Sequence, residues 1–323
     1  SKSILMKVLV FIESDEGKIK KSSLEAVSYA AEIAQGTVAM VFGVLESSEL
    51  NKIGAAGAKK VLHVTDSDFE PSNIMAVSTA IAQVFEAEDI ELMVMAKSSL
   101  ADPVSARVSI KMDASLVSNV TELPDMANGF TVNRSIYTGK AFAKTKLTSD
   151  KKILTIRKNT VPIGENGSDP EIVVFQPNSK GSDAAVKVLS QEKTSGDILL
   201  PEADIVVSGG RGLKGPENWG MIEDLAAALA AATGCSKPVS DMDWRPHHEH
   251  VGQTGVKVSP TLYIAVGISG AIQHLAGVNS SKFIVVINKD PEAPFFKAAD
   301  YGIVGDAFEV LPQLTKAIQV AKG

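Results

Sequence analysis

The segment Leu262–Asn288 contains two apolar runs separated by a glycine-rich turn, and this order constrains the fold more than any other feature of the chain. The first run, Leu262–Val266, is typical of a parallel strand that is buried on both faces. The turn Gly267–Gly270 follows, a short helix is predicted from Ala271, and Lys282–Ile287 is a second predicted strand. A helix N-terminus at the carboxyl end of a parallel sheet offers unpaired N–H groups to an anion or an electron-rich ring. The segment therefore predicts an open α/β sheet with a ligand site at this edge.

Length, charge and cysteine content exclude several classes of protein. A chain of 323 residues is longer than one hydrophobic core usually serves, so two domains are expected. The net charge of -6 and the lack of a basic stripe give no reason to expect a nucleic acid partner. No apolar run is long enough for a membrane span, so membrane insertion is not expected. The single cysteine, Cys235, excludes an intrachain disulfide and favours a reducing compartment, either the bacterial cytoplasm or the mitochondrial matrix.

The first part of the chain shows the alternation that is typical of βαβ units. Up to about residue 125, apolar runs alternate with amphipathic helical stretches, which favours a parallel sheet. Three short runs follow, and their close spacing predicts an antiparallel meander added to that sheet. The predicted strands are Met6–Ile12, Thr37–Leu45, Lys60–Val64, Leu92–Ala96 and Ser115–Val120, then Phe130–Tyr137, Ala141–Thr148 and Lys152–Lys158 in the meander, and Ile172–Phe175; the predicted helices are Ser22–Ala34, Glu49–Ala58 and Asn73–Glu88.

The fold class predicted from these patterns is α/β with two domains, each built on a largely parallel sheet with flanking helices. Residues 1–190 are expected to form the N-terminal domain, which carries the antiparallel meander, and residues 191–323 the second domain. The polar segment 180–195 is predicted to be the interdomain linker. The second domain is expected to open with a strand at Asp204–Ser208 and a helix at Glu217–Ala232.

Two motifs are open to more than one interpretation. Gly210, Gly212 and Gly215 fit a dinucleotide fingerprint, but no acidic residue closes a second strand at the usual distance, so NAD binding is the weaker interpretation. A structural glycine-rich turn is the alternative. The run His247–His250 suggests a metal cluster, yet adjacent histidines diverge and nothing completes a tetrahedral shell. An exposed loop is therefore the favoured interpretation of that run.

Four motifs occur in one order across the last third of the chain: Ser208–Lys214, Val251–Gly255, Leu262–Asn288 and Lys289–Asp306. Together they resemble the signature of the electron transfer flavoprotein alpha subunit, in which a strand is followed by Gly-Ile-Ser-Gly and Ile-Gln-His. The N-terminal two thirds resembles that family only in its general pattern. The resemblance implies FAD in the second domain and an N-terminal domain that docks a beta subunit to form a heterodimer. It also implies electron transfer from a donor dehydrogenase to an acceptor oxidoreductase or the respiratory chain, without an organic substrate.

The resemblance also implies roles for particular residues. Arg211 is expected to contact the flavin, Thr254 to lie near its nitrogen N5, and His274 to face its pyrimidine end. Asn288 and Asp306 are expected near the adenosine and phosphate groups, although Asp306 is also a candidate cap for a helix at 307–321. The expected FAD contacts are Arg211, Ser236, Lys237, His250, Val251, Gly252, Gln253, Thr254, Gly267, Ser269, Gly270, Ala271, Ile272, Gln273, His274, Asn288 and Asp306, with no catalytic residue and no metal ligand.

Two of these positions depart from the resembled family. Lys237 stands where the family has an arginine over the isoalloxazine ring, so the positive charge is retained and the planar stacking group is lost. His250 stands where the family commonly has glutamine. His274 has a second interpretation from its bare sequence, that of a partly buried histidine whose hydrogen bonds are satisfied within the fold.

Three classes of function remain to be weighed. The favoured one is an FAD-containing electron carrier, because the sequence offers no general base paired with a nucleophile and no catalytic cysteine environment. The alternative is a flavin- or NAD-dependent oxidoreductase with its own small-molecule substrate, which would need a substrate-facing acid or base beyond the flavin contacts. A nucleotide-binding regulatory subunit without a redox cofactor is the third.

Overall fold

The computed structural model describes residues 6–127, 129–137, 141–165, 167–178 and 199–322. These residues group into two compact units, one within 1–136 and 141–192 and the other within 137–140 and 193–323. The predicted linker at 180–195 lies outside the described residues. Within the described ranges, no helix has the length and apolar character needed to cross a membrane.

The first unit is built on a mostly parallel sheet with helices on both faces. Its strands are β1 (Val8–Ile12), β2 (Ser14–Asp15), β3 (Lys18–Ile19), β4 (Thr37–Phe42), β5 (Lys60–Val64), β6 (Leu92–Ala96), β7 (Ser115–Val120), β8 (Thr131–Ile136), β9 (Ala141–Lys146), β10 (Lys152–Ile156) and β11 (Glu171–Val174). Its helices are α1 (Lys21–Ile33), α2 (Ser47–Ala55), α3 (Ile74–Ala87) and α4 (Ala101–Met112). The main sheet has the order β11-β5-β4-β1-β6-β10-β7-β8-β9, and β2 and β3 form a separate small hairpin.

Alternate side chains of the central strands pack against different helices, because successive residues of a strand point to opposite faces. Val8 and Val10 of β1 belong to a core cluster with α1 and α2, whereas Leu9 and Phe11 belong to a cluster with α3 and α4. The continuous apolar runs read from the sequence are thus explained by burial on both faces.

The antiparallel meander predicted after residue 125 is confirmed for its first two strands only. β8 pairs antiparallel with β7 and with β9. The prediction for the third run, Lys152–Lys158, is wrong, because β10 lies parallel between β6 and β7. Ile153, Leu154 and Ile156 are all buried, which is the requirement of a central strand with a helix layer on each face.

Helix α4 was not among the predicted elements. Its apolar positions Ala101, Val104, Val108 and Met112 are all buried, at the i, i+3 and i+4 spacing of a helix face. Ser98 lies just before the helix, and its hydroxyl accepts a hydrogen bond from the N–H of the first helical residue, Ala101, at 2.8 Å.

The second unit is built on a wholly parallel sheet. Its strands are β12 (Ile205–Gly209), β13 (Ala232–Cys235), β14 (Leu262–Val266), β15 (Phe283–Asn288) and β16 (Tyr301–Val304), in the order β13-β12-β14-β15-β16. Its helices are α5 (Gly220–Leu229), α6 (Lys237–Asp241), α7 (Ile272–Val278) and α8 (Ala307–Lys322). The helix predicted over Glu217–Ala232 is wrong at its end, because Ala230 adopts a left-handed φ of 53° and Ala232–Cys235 pairs with β12 as a strand.

Candidate functional site

The carboxyl ends of β12 and β14 form the topological switch point of the second sheet. The chain leaves β12 for β13 on one side and later returns to β14 on the other, and open α/β sheets bind ligands at such a point. Gly210 N–H donates to Val266 O at 2.9 Å, and Gly212 N–H donates to Gly267 O at 3.1 Å. A Cβ on Gly210 would lie 2.2 Å from Gly267 O, so glycine is required for the two loops to meet. These glycines therefore shape the floor of the candidate site.

The dinucleotide-fingerprint interpretation of these glycines finds no support in the local structure. A fingerprint of that kind ends in a helix whose first turn faces the pyrophosphate. Here Arg211–Leu213 and Pro216–Asn218 are separate 3₁₀ turns, and α5 begins only at Gly220. The Arg211 side chain is exposed.

Ser236 and Lys237 follow β13 at the same edge of the sheet. Ser236 is buried, and its N–H donates to Gly209 O at 3.0 Å. Lys237 begins α6, and its Nζ lies 2.7 Å from each carboxylate oxygen of Asp241. Both side chains of this pair are at least half exposed, so the pair adds little stability. Its effect is local, because Asp241 offsets much of the positive charge that Lys237 brings to the site.

The loop Val251–Thr254 is held between β13 and α7. Val251 N–H donates to Cys235 O at 2.9 Å, and Gln253 N–H donates to Gln273 O at 2.7 Å. A Cβ on Gly277 would lie 2.6 Å from the Cα of Gly252, so the loop and the helix touch through their backbones. The side chains of Gln253 and Thr254 remain exposed and can bond a ligand.

The turn Gly267–Gly270, which follows β14, is held in place by two hydrogen bonds from other parts of the chain. Gly267 and Gly270 have φ of 61° and 86°, a region that favours glycine. Phe295 N–H donates to Ser269 O at 3.1 Å, and the Asn288 side-chain amide donates to Ile268 O at 3.1 Å. Asn288 thus supports the turn. The residues that the turn and the first turn of α7 leave exposed are Ser269, Ala271, Ile272 and Gln273.

Asp306 follows β16 and caps helix α8. Its Oδ1 accepts a hydrogen bond from Phe308 N–H at 3.0 Å, which confirms the capping interpretation. Lys214 Nζ lies 3.9 Å from Asp306 Oδ2 and 4.5 Å from the centre of the Phe308 ring. A cation therefore stands at the end of the site where the phosphate groups were expected.

The run His247–His250 is only partly the exposed loop that was expected. His247 and His248 are exposed, but the prediction is wrong for Glu249 and His250, which are buried. Glu249 is buried because both of its carboxylate oxygens accept hydrogen bonds from Arg245, at 2.6 and 2.9 Å. In the ranges that the structure describes, no group of three His, Cys, Asp or Glu side chains could hold a metal ion.

His274 lies in α7 and is buried. Its Nε2 lies 2.9 Å from the hydroxyl of Tyr263, a residue that the sequence analysis missed. Burial and the nearby His250 lower the pKa of His274 to about 4, and the backbone of Val251 partly opposes this shift. Burial also lowers the pKa of His250, with smaller effects from His247 and Lys237 in the same direction and from Asp241 in the opposite one. Both imidazoles are therefore neutral at physiological pH.

Three buried polar atoms behind the exposed side chains have no well-formed hydrogen bond among the described residues: Ser208 Oγ, His250 Nδ1 and His274 Nδ1. An unsatisfied buried polar atom costs about 1–3 kcal/mol, but seven more such atoms occur among the described residues, so these three indicate a site only together with the exposed side chains in front of it. The exposed groups in front of it are a guanidinium, an ammonium, hydroxyls and amides. This donor set suits a flavin ring, which accepts hydrogen bonds and gains negative charge on reduction.

Comparisons with known proteins agree with this chemistry. The family profile described as "Electron transfer flavoprotein FAD-binding domain" matches residues 199–279, and the one described as "Electron transfer flavoprotein domain" matches residues 8–193. The chain is 36% identical to the electron transfer flavoprotein subunit alpha of Syntrophomonas wolfei, covering 96% of this chain and 98% of that protein. It is 35% identical to the Bacillus subtilis subunit alpha, covering 96% of each, and 38% identical to a probable mitochondrial subunit alpha of Caenorhabditis elegans, covering 98% of this chain and 95% of that protein. The chain therefore belongs to the electron transfer flavoprotein alpha-subunit family, and it is an FAD-containing electron carrier rather than an enzyme with its own substrate.

Proposed function

We propose that FAD lies across the switch point of the second sheet, in the domain formed by residues 191–323. The observation that carries this proposal is the set of exposed polar side chains that follow the carboxyl ends of β12, β13 and β14. Arg211, Lys237, Gln253, Thr254 and His274 would contact the flavin. The other proposed contacts are Ser236, His250, Val251, Gly252, Gly267, Ser269, Gly270, Ala271, Ile272, Gln273, Asn288 and Asp306.

FAD, when bound, supplies the chemistry by accepting and releasing electrons one at a time. The contribution of the chain is electrostatic and geometric. The cations of Arg211 and Lys237 would stabilise negative charge that arrives with an electron, since a pair of unit charges about 4 Å apart is worth about 4 kcal/mol at an effective dielectric constant of about 20. Gln253 and Thr254 would fix the orientation of the ring through hydrogen bonds.

The chain would act in an assembly with other proteins. The relatives are named as alpha subunits, which supports pairing of this chain with an electron transfer flavoprotein beta subunit. In this proposal residues 1–190 dock the beta subunit, a dehydrogenase donates electrons to FAD, and another redox protein accepts them. One relative is bacterial and another is named mitochondrial, which supports either the bacterial cytoplasm or the mitochondrial matrix as the proposed compartment.

Substitution of an exposed arginine in each unit tests the proposed site. Arg211 and Arg107 are both exposed, but Arg107 lies on α4 of the first unit. The heterodimer that carries Arg211→Ala should bind FAD at least about tenfold more weakly, a loss of about 1.4 kcal/mol, and Arg107→Ala should leave the affinity unchanged. Titration of the apoprotein with FAD, followed by flavin fluorescence, measures both. Equal affinities in the two variants would contradict the proposed site.

A further inference from the structure

Tyr263 is buried in the middle of an otherwise apolar strand, directly behind the candidate flavin site. The side chain of Tyr263 is fully buried on β14 and packs with Ala265 in the core cluster on one face of the second sheet. Its hydroxyl lies 2.9 Å from His274 Nε2, and the ring of Phe295 closes the group, 6.5 Å from the Tyr263 ring and 5.6 Å from the His274 ring. His274 is therefore held between two aromatic side chains, with its Nε2 occupied.

The burial of both groups fixes their protonation. Burial raises the pKa of Tyr263 well above its usual range, so its hydroxyl keeps its proton; Ser208 lies near enough to oppose this rise without forming a well-shaped hydrogen bond. His274 is neutral and carries one ring proton. The backbone of Val251 favours a proton on His274, as a carbonyl beside a ring N–H does, and Nε2 is already next to the Tyr263 hydroxyl. If Nε2 held the proton instead, the Tyr263 hydroxyl would have to donate to Ser208, with which it forms no well-shaped hydrogen bond. The arrangement that satisfies both groups has the Tyr263 hydroxyl donating to Nε2, with the imidazole proton on Nδ1.

We propose that Tyr263 is a positioning residue that holds His274 in the Nδ1–H tautomer, so that the other ring nitrogen, beside the backbone of Val251, is a neutral hydrogen-bond donor at the back of the proposed flavin site. This inference rests on the proposed function for the part that concerns FAD. A neutral donor favours added negative charge on a nearby ring, whereas a bare nitrogen lone pair in the same place opposes it. The tyrosine would thus act on the flavin through the histidine, without touching the cofactor.

Removal of the Tyr263 hydroxyl tests whether Tyr263 acts through its hydrogen bond to His274 or only through the packing of its ring. Tyr263→Phe keeps the aromatic ring and its contacts with Phe295. Tyr29→Phe is a matched control, because Tyr29 is also buried and its hydroxyl donates one hydrogen bond, to Glu122 O at 2.9 Å in the first unit. Both variants should fold, and their unfolding midpoints show whether the cost of losing the hydroxyl is similar.

The direct readout is the tautomer of His274, observed by nitrogen-15 NMR in histidine-labelled heterodimer without FAD and assigned with the variant His274→Gln. Wild type and Tyr29→Phe should show protonated Nδ1 and unprotonated Nε2. Tyr263→Phe should change the ratio of the two tautomers by about tenfold toward protonated Nε2, because the hydrogen bond that fixed the ratio is gone. An unchanged ratio in Tyr263→Phe would overturn the proposal.

Flavin measurements on the same variants distinguish this proposal from the proposed function. In the FAD-loaded heterodimer, Tyr263→Phe should lower the equilibrium constant for the first one-electron reduction about tenfold and leave the FAD content unchanged. A changed tautomer with an unchanged equilibrium constant would overturn the placement of His274 at the flavin. An unchanged tautomer together with weaker FAD binding in His274→Gln would overturn the role of Tyr263 and support the proposed site.

Discussion

The two sheets have the same kind of switch point, and the residues that follow the strands make them different. In the first unit the switch lies between β1 and β6, where Glu13 and Ser98 follow the strands. The buried carboxylate of Glu13 accepts a hydrogen bond from the Ser98 hydroxyl and lies 3.3 Å from Lys20 Nζ. In the second unit the switch lies between β12 and β14, and glycines follow both strands.

This difference shows why a shared topology does not give a shared function. A buried carboxylate that is already paired occupies the first switch point and would repel an anionic group such as a pyrophosphate. The glycines at the second switch point leave space, and the polar side chains around it retain unused hydrogen-bonding capacity. Function is thus set by a few residues at the strand ends, as expected for a fold that hosts many activities.

The largest effect is expected from a side chain that fills the space at the switch point of the second unit. Gly210→Ala places a Cβ where the Gly267 carbonyl oxygen lies 2.2 Å away, so one of the two loops must move. We expect a loss of about 3 kcal/mol of stability and about a hundredfold loss in FAD affinity, because the floor of the site is displaced. Chemical unfolding and FAD titration measure the two effects.

Gly220→Ala is the control for that substitution, because a Cβ at Gly220 would meet no atom within 4 Å. Its stability should stay within about 0.5 kcal/mol of wild type, and its FAD affinity should not change. Normal FAD binding by Gly210→Ala would mean that the two loops do not form the floor of the site.

The second prediction concerns acid sensitivity of the second unit. The pKa of His274 falls from about 6.5 in the unfolded chain to about 4 in the fold, so its contribution is complete above pH 6.5 and is lost as the pH falls toward 4. That shift corresponds to a loss on the order of 3 kcal/mol, because each pKa unit is worth about 1.4 kcal/mol. Trp219 and Trp244, the two tryptophans of the chain, both lie in the second unit, so their fluorescence during urea unfolding reports this loss.

Two variants, His274→Gln and Glu25→Gln, are expected to change the dependence of stability on pH in opposite directions. His274→Gln should flatten the loss of stability between pH 6.5 and 4. Burial raises the pKa of Glu25 in the first unit, so its contribution is present at low pH and is lost as the pH rises through that raised value. Glu25→Gln should therefore change the pH dependence of the first unit in the opposite sense, measured by circular dichroism because both tryptophans lie in the second unit. An acid slope that survives in His274→Gln would show that other groups cause it.

The third prediction concerns the switch point of the first unit, which the paired carboxylate of Glu13 occupies. Glu13→Gln removes the negative charge that pairs with Lys20 and accepts the hydrogen bond of Ser98. The substitution should lower the stability of the first unit by about 2 kcal/mol, because Lys20 then has no opposite charge at this position and the Ser98 bond becomes weaker. FAD affinity should be unchanged. A loss of FAD from Glu13→Gln, measured after gel filtration, would place cofactor binding in the first unit instead.

The smallest effect is expected at Lys237. Arginine stacks flat on an aromatic ring and gives up hydration at lower cost than lysine, so Lys237→Arg should raise the first reduction potential of FAD. A gain of about 1.4 kcal/mol corresponds to about 59 mV for a one-electron couple. Asp241→Asn is the companion variant, because it releases Lys237 from its carboxylate partner and should raise the potential in the same direction. An unchanged or lowered potential in Lys237→Arg would mean that residue 237 does not contact the ring.

The elements that the sequence predicts best are buried strands that consist of consecutive apolar residues. Strands Lys60–Val64 and Leu92–Ala96 have the predicted bounds, because their buried positions are apolar with the single exception of His63. The place of β10 between β6 and β7 depends on pairing between distant segments, and Ala232 and Gly234 of the four-residue strand β13 are residues that are depleted in strands. Both features were therefore out of reach of local patterns.

The candidate site was predictable in part. The glycine-rich turns and the exposed side chains around them follow from local motifs, and the pair of Lys237 with Asp241 has the i, i+4 spacing that a helix predicts. The contact of Tyr263 with His274 joins a strand to a helix, so only the folded structure shows it. One signal was present in the sequence, since Tyr263 is the single polar side chain in the apolar run Leu262–Val266.

Amide hydrogen exchange of the full chain with its beta subunit, with and without FAD, is the most direct test of where the cofactor binds. We predict that FAD slows exchange in two segments of the second unit, Gly210–Lys214 and Gly267–His274. We predict no such change at the switch point of the first unit, in residues 13–20 and 97–102. Protection confined to the first unit, with exchange at Gly210–Lys214 and Gly267–His274 unchanged, would contradict this prediction.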